Sequence, residues 1–192
     1  MPLQPLQPAH PATRPLQLCA REQLLARFAA ALAAADGAAG AHCIHELWMR
    51  GEWPQRIEQA LQQLWQHAAA TIPDWLPMRY IHWLPLAYEV AGQFRSQRAG
   101  RTHVYLVLLD FSDRRGDPYG IYVGMSRYSP AARFDQHKAG IRAANSVPKR
   151  GLEVLTGPTM HLQYVARADA ARIEAALARA FEDSGLTVEG GH

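Results

Sequence analysis

Tyr105, Tyr122, Arg133, His137 and Glu174 are polar side chains set into an otherwise apolar α/β pattern. Between them they offer two phenols, a guanidinium fork, an imidazole and a carboxylate. Arg133 and His137 stand four residues apart in a short helical stretch and so share one face. A guanidinium matches two oxygens of a phosphate at once, and an imidazole one turn later can relay a proton or donate to the same phosphate. A tyrosine hydroxyl ionises near pH ~10, so a phenol works as a base at neutral pH only where neighbours stabilise its phenolate. Arg133, Arg127 and a bound metal are the candidates for that. Glu174 shares a helix face with Leu177 and Phe181, where a carboxylate is expensive to bury unless paired or metal-bound. Hydrolysis of a phosphodiester needs a base near the attacking water, positive charge on the developing phosphorane and help for the leaving oxygen. These five residue types include candidates for the base and for the positive charge.

The elements that must position them can be read from the periodicity. Val104 to Leu109 is a short, β-branched apolar run of the kind that makes a buried strand. Turn-forming residues follow at Asp113–Gly116 and Asp117-Pro118, then Ile121-Tyr122-Val123 returns as a second strand closed by Gly124. Ser129-Pro130 is a helix start and Gly140 its stop. His161 to Val165 alternates like a third strand, and Asp169 is positioned to cap a helix running to about Glu182. The order is strand, strand, helix, irregular connection, strand, helix. Upstream, residues 1–17 form a Pro/Gln-rich tail expected to be disordered. Residues 18–98 read as a helical region: one helix over Cys19–Ala35 (Leu24, Leu25, Phe28 and Leu32 inward), a second opened by Pro54 (Ile57, Leu61, Leu64 and Trp65 inward), an aromatic patch from Trp75 to Leu84, and a third helix through Tyr88, Val90 and Phe94. Gln97–Gly100 reads as a polar connector.

Tyr105 in the first strand, Tyr122-Val123-Gly124 in the second, Arg133 and His137 on the next helix and Glu174 on the last have an order and spacing that resembles the GIY-YIG nuclease family. The resemblance covers residues 101–187. It implies an α+β fold with a small three-stranded antiparallel sheet flanked by helices, and a metal-dependent DNA endonuclease activity. It assigns Tyr105 as general base, Tyr122 to orient water or phosphate, and Glu174 as the single protein ligand of Mg²⁺ (or Mn²⁺). Thr102-His103-Val104 stands where the family has its glycine-isoleucine pattern, and Asn145 lies too early to be the asparagine that some members place beside the site. The literal Gly120-Ile121-Tyr122 lies in the second strand, and Tyr122-Val123-Gly124 fills the YIG position.

Charge distribution points the same way. The chain of 192 residues has a formal net charge of only +3, but from Arg101 to Arg150 nine Lys or Arg face four Asp. A local basic excess suits a polyanion such as DNA, and Arg127, Lys138, Arg142, Lys149 and Arg150 are expected to contact phosphates around the site. No stretch approaches the ~20 apolar residues of a membrane helix, and the N-terminus lacks the charged start and apolar run of a secretion signal. Two cysteines give no disulfide framework, so a cytoplasmic setting is expected. His42-Cys43-Ile44-His45 holds potential zinc ligands at no recognised spacing. Two other functions fit the composition: a nucleic-acid-binding module with little catalysis, and a protein-interaction domain using the aromatic N-terminal half.

Overall fold

The computed structural model describes residues 14–141 and 146–190. The chain divides into two compact units, one ending at Pro85 and the other beginning at Leu86. Residues 86–98, expected with the helical region, therefore count with the second unit. No helix among the described residues is long and apolar enough to cross a membrane.

The first unit is built on helices α1 (Arg21–Ala33), α2 (Gly37–Met49) and α3 (Pro54–Ala68). Asp36 caps α2 by accepting the N–H of Ala39, and Pro54 opens α3 at a position where its missing N–H costs nothing. Leu24 and Phe28 of α1 are buried, as are Ile44, Leu47 and Trp48 of α2 and Ile57, Leu61 and Leu64 of α3. Leu25 and Trp65, expected inward, are exposed. A Cβ at Gly40 would lie 2.4 Å from Leu64 Cδ1, so glycine is what lets α2 and α3 approach. The aromatic patch is core: Trp75, Leu76, Ile81, Trp83 and Leu84 are buried, and the Trp48 indole N–H donates to the Ile81 carbonyl at 3.0 Å. Arg14 to Gln17, expected in the disordered tail, form a turn instead. Arg14 and Arg50 both pair with the buried carboxylate of Glu46, which answers the cost of burying that charge. Residues 1–13 lie outside the described region.

Helix α4 (Leu84–Ala91) leads to the second unit's sheet of four strands: β1 (Arg98–Asp110), β2 (Tyr119–Ser126), β3 (Gly151–Val154) and β4 (Val188–Gly190), in the order β3-β1-β2-β4. The first three pair antiparallel, but β4 runs parallel to β2, so the sheet is mixed and four-stranded rather than the expected antiparallel three. The third strand is also displaced from its expected place. Met160–Leu162 forms a 3-10 turn and Tyr164 takes a positive φ of 61°, so the run from His161 is not extended. The Gln163 amide there donates to the carbonyls of Val104 and Thr159, and Val165 keeps only an isolated bridge to Thr102. Helix α5 (Pro130–Lys138), the short turns α6 (Val147–Arg150) and α7 (Thr156–Thr159), and α8 (Arg167–Asp183) complete the unit. Asp169 lies in the first turn of α8 and does not cap it; Ala166 holds that position. Tyr105, Val107, Leu109, Phe111 and Val147 form a core cluster against which Tyr122 and Phe134 pack.

Candidate active site

The β1–β2 hairpin sets the two tyrosines. Tyr105 pairs with Gly124 and Val107 with Tyr122, and cross-strand partners point to one face. Both phenols therefore stand on the same side, with ring centroids 6.1 Å apart. The space they need comes from Gly124. A Cβ there would lie 2.6 Å from Tyr122 Cε1 and 2.9 Å from both Cζ and the hydroxyl oxygen of Tyr105. The glycine is required by the rings that crowd it.

Helix α5 delivers the next two groups. Ser129 accepts the N–H of Ala132 and Pro130 occupies the first turn, so the helix starts at a fixed point and Arg133 and His137 fall one turn apart on one face. His137 is 1% exposed. Its Nε2 lies 3.0 Å from the Tyr105 hydroxyl oxygen, and its ring meets Tyr122 edge-on at 5.8 Å. Arg133 donates to the Tyr105 hydroxyl, and its Nη1 also donates to Gln136 Oε1 and the Ile141 carbonyl. The Tyr105 hydroxyl is joined to Tyr122 as well.

Electrostatics decides how protons sit in this cluster. Burial, and then the Arg133 charge, lower the His137 pKa to about 4, so the imidazole is neutral at pH 7. Burial raises Tyr105 far above an ordinary phenol, Tyr122 raises it further, and Arg133 offsets only part. Burial also raises Tyr122 and the nearby Glu174 charge adds to that, but Tyr105's hydrogen bond and Arg133 pull it back. Of the two phenols Tyr122 is thus the readier to ionise. We assign the network accordingly: Arg133 and the Nε2–H of His137 donate to the Tyr105 oxygen, and Tyr105 donates to Tyr122, which uses a hydroxyl's one donor and two acceptor sites.

Glu174 enters from α8. Ile173, Leu177 and Phe181 bury that helix and carry the carboxylate in with them at 9% exposure. It accepts the backbone N–H of Met125 on β2, and burial pushes its pKa up to about 7 despite that bond. It is close enough to Tyr122 for its charge to act on the phenol.

A cleft of about 550 Å³ opens beside the cluster. Arg133 and Met125 belong to its lining and so connect it to Tyr105 and to Glu174 respectively. Arg127, Tyr128 and Arg167 line it too.

The remaining basic residues do not all behave as expected. Arg127 faces the cleft and Lys149 is exposed. Lys138 instead donates to the carbonyls of Pro148 and Gly151 at 3.1 Å each, tying α5 to β3. Arg150 forms a two-point pair with Asp113 (2.7 and 2.9 Å), donates to the Asp110 carbonyl and lies over the Phe111 ring. Both cations are engaged in holding the fold, while Lys138 stays exposed. Arg142 lies outside the described residues, as does Asn145. His137 is buried, with its Nε2 against the Tyr105 hydroxyl. Sequence reasoning missed Tyr128 and Arg167. Their only sequence signal is position, just before the Ser129-Pro130 helix start and in the first turn of α8.

His42, Cys43 and His45 lie on α2, and burial pushes the Cys43 thiol up to about 11, the opposite of what a zinc thiolate needs. Among the described residues no group of three or more His, Cys, Asp or Glu gathers as a metal cluster. Comparison with models of known protein families, with curated proteins and with solved structures finds no match for this chain.

Proposed function

We propose that the chain is a metal-dependent DNA endonuclease that hydrolyses phosphodiester bonds at a GIY-YIG-type site. The observation that carries this reading is the Tyr105 hydroxyl held 3.0 Å from His137 Nε2 and bonded to Arg133 and Tyr122, beside a cleft with three arginines in its lining.

The geometry favours an exchange of the roles that the family resemblance implies for the two tyrosines. Tyr105 is 1% exposed whereas Tyr122 is only half-buried, so Tyr122 is the phenol that water can reach. In the ionised state its phenolate accepts the Tyr105 hydrogen bond, and Arg133 and His137 hold Tyr105 in place to give it. The phenolate takes a proton from the attacking water as the water oxygen bonds to phosphorus. The bond from phosphorus to the leaving oxygen then breaks, and that oxygen takes a proton from solvent. Arg133 offsets the negative charge that builds on the phosphorane oxygens. His137 stays neutral and positions Tyr105.

Glu174 is the residue that would hold the cation. A single carboxylate, costly to keep charged where it lies, fits Mg²⁺ (or Mn²⁺), which keeps several waters and takes further oxygens from a substrate phosphate. When bound, the metal supplies Lewis-acid stabilisation of phosphate oxygens.

The two free cysteines, Cys19 and Cys43, agree with the cytoplasmic setting that this reading adopts. A binding module without catalysis would use the same basic cleft. The protein-interaction reading draws less support, because Trp75 and Trp83 are core and only Trp53 and Trp65 among the tryptophans are exposed. Incubation with branched, nicked and linear DNA, in Mg²⁺ and in EDTA, separates these readings. Cleavage in Mg²⁺ alone is expected. Salt-sensitive binding with no cleavage would leave the binding module, and neither would leave the third reading.

A further inference from the structure

We propose that the cleft beside Arg133 is a subsite for an unpaired nucleotide of the DNA substrate, its base lying on Tyr128 and its phosphates on Arg127 and Arg167. The inference rests on the nuclease reading for the identity of the polymer, but on different residues for its chemistry.

The cleft combines two surfaces. One is cationic: Arg127, Arg133 and Arg167 all line it. Among the described residues the side chains of Arg127 and Arg167 form no ion pair or hydrogen bond, in contrast to Arg150. Arg167 also occupies the first turn of α8, where a cation sits against the positive end of the helix dipole, and the capping residue Ala166 offers no side chain to the first N–H groups. An anion in the cleft would relieve both. The other surface is apolar: Tyr128 is 58% exposed and Ile141 55% exposed, and Met125 also lines the cleft. Tyr128 is held in position by its own backbone, whose N–H donates to Ser126 Oγ at 3.0 Å, just ahead of the Ser129 cap.

An anionic ligand with a planar apolar body meets both surfaces, and a nucleotide is such a ligand. A volume of about 550 Å³ is within the usual range for small-molecule clefts, roughly 300–1,000 Å³. The bases of an intact duplex are stacked on one another and offer no free face to Tyr128. An unpaired base does, and stacking on an aromatic side chain tolerates any sequence. The substrate is therefore DNA that exposes a single-stranded nucleotide next to the scissile phosphate, such as a flap, gap or fork.

The test is binding of fluorescein-labelled dT6 by the full chain in EDTA, compared with a blunt hairpin of equal phosphate number. Wild type is expected to bind dT6 more tightly. Tyr128→Ala should weaken dT6 binding about tenfold, and Tyr128→Phe, which keeps the ring, should restore it. An abasic unit in the oligonucleotide should cost the wild type affinity but not Tyr128→Ala. Equal binding by Tyr128→Ala and wild type, or a hairpin bound as tightly as dT6, would overturn the proposal. Failure here is distinguishable from failure of the nuclease reading. If wild type cuts duplex DNA in Mg²⁺ and Tyr128→Ala binds dT6 normally, the subsite is wrong and the nuclease stands. If dT6 binds with the Tyr128 signature but nothing is cut, the subsite stands and the nuclease falls.

Discussion

Replacing Glu174 with glutamine should make the protein more stable at pH 8, in the absence of divalent metal. The magnitude follows from burial. The carboxyl has a folded pKa of about 7 against an ordinary 4.5, and each unit of difference is worth about 1.4 kcal/mol. The folded chain takes up this proton below pH 7 and the unfolded chain only below 4.5, so stability is lost as pH rises through that window. At pH 8 the cost of the charge is on the order of 3 kcal/mol. Glutamine is neutral at every pH and keeps the carbonyl oxygen that accepts the Met125 N–H. Glu174→Gln should therefore exceed wild type by roughly 2–3 kcal/mol at pH 8 and equal it near pH 4.5. His137 acts in the opposite sense: its pKa is about 4 folded against 6.5 unfolded, so its contribution is lost as pH falls from 6.5 to 4. The two nearly cancel in the wild type between pH 4.5 and 6.5, and the variant should uncover the His137 slope. Urea denaturation in EDTA from pH 4.5 to 8.5 measures this. A variant no more stable than wild type at pH 8, or a difference that does not change with pH, would refute the reasoning.

Three further outcomes follow. Gly124→Ala should cost about 1–3 kcal/mol by forcing the two tyrosine rings apart, visible in urea melts, and cleavage should fall with it. Tyr122→Phe should lower kcat at least ~100-fold, the scale of a lost general base, whereas Tyr105→Phe, which takes one hydrogen bond from Tyr122 and leaves Arg133 and His137 without that acceptor, should cost about tenfold; at saturating Mg²⁺, which holds Glu174 ionised, kcat/KM should climb about tenfold per pH unit from 7 to 9 with no inflection near 6.5, because the base is a raised phenol and His137 is already neutral. Arg150→Ala should destabilise the β1–β2 loop through loss of its Asp113 pair while leaving the salt dependence of DNA binding unchanged, and Arg127→Ala with Arg167→Ala should flatten that dependence by a slope of about 2.

The hairpin and the α5 start were legible because their signals are local: β-branched runs, turn residues, and serine followed by proline. Glu174 was legible because a carboxylate in an apolar stripe conflicts with the helix that carries it. Strand β3 was not legible, since Gly151-Leu-Glu-Val is too short to show a period and owes its pairing to β1. The run at His161 shows the period but loses the strand to the 3-10 turn at Met160–Leu162 and the positive φ of Tyr164, which no alternation reveals. Lys138 and Arg150 look like any other cations in a basic segment, and nothing local reveals the carbonyl and carboxylate partners that engage them from distant residues. The proposed exchange of tyrosine roles has the same origin, because exposure and the direction of a hydrogen bond are properties of the packed site.

The central claim is tested most directly by single-turnover cleavage of a forked DNA in Mg²⁺ by wild type and Glu174→Gln, with binding of the same DNA measured in parallel. The account predicts equal binding and a loss of cleavage by the variant of at least ~100-fold. Cleavage by Glu174→Gln at the wild-type rate, or no cleavage by the wild type, would contradict it.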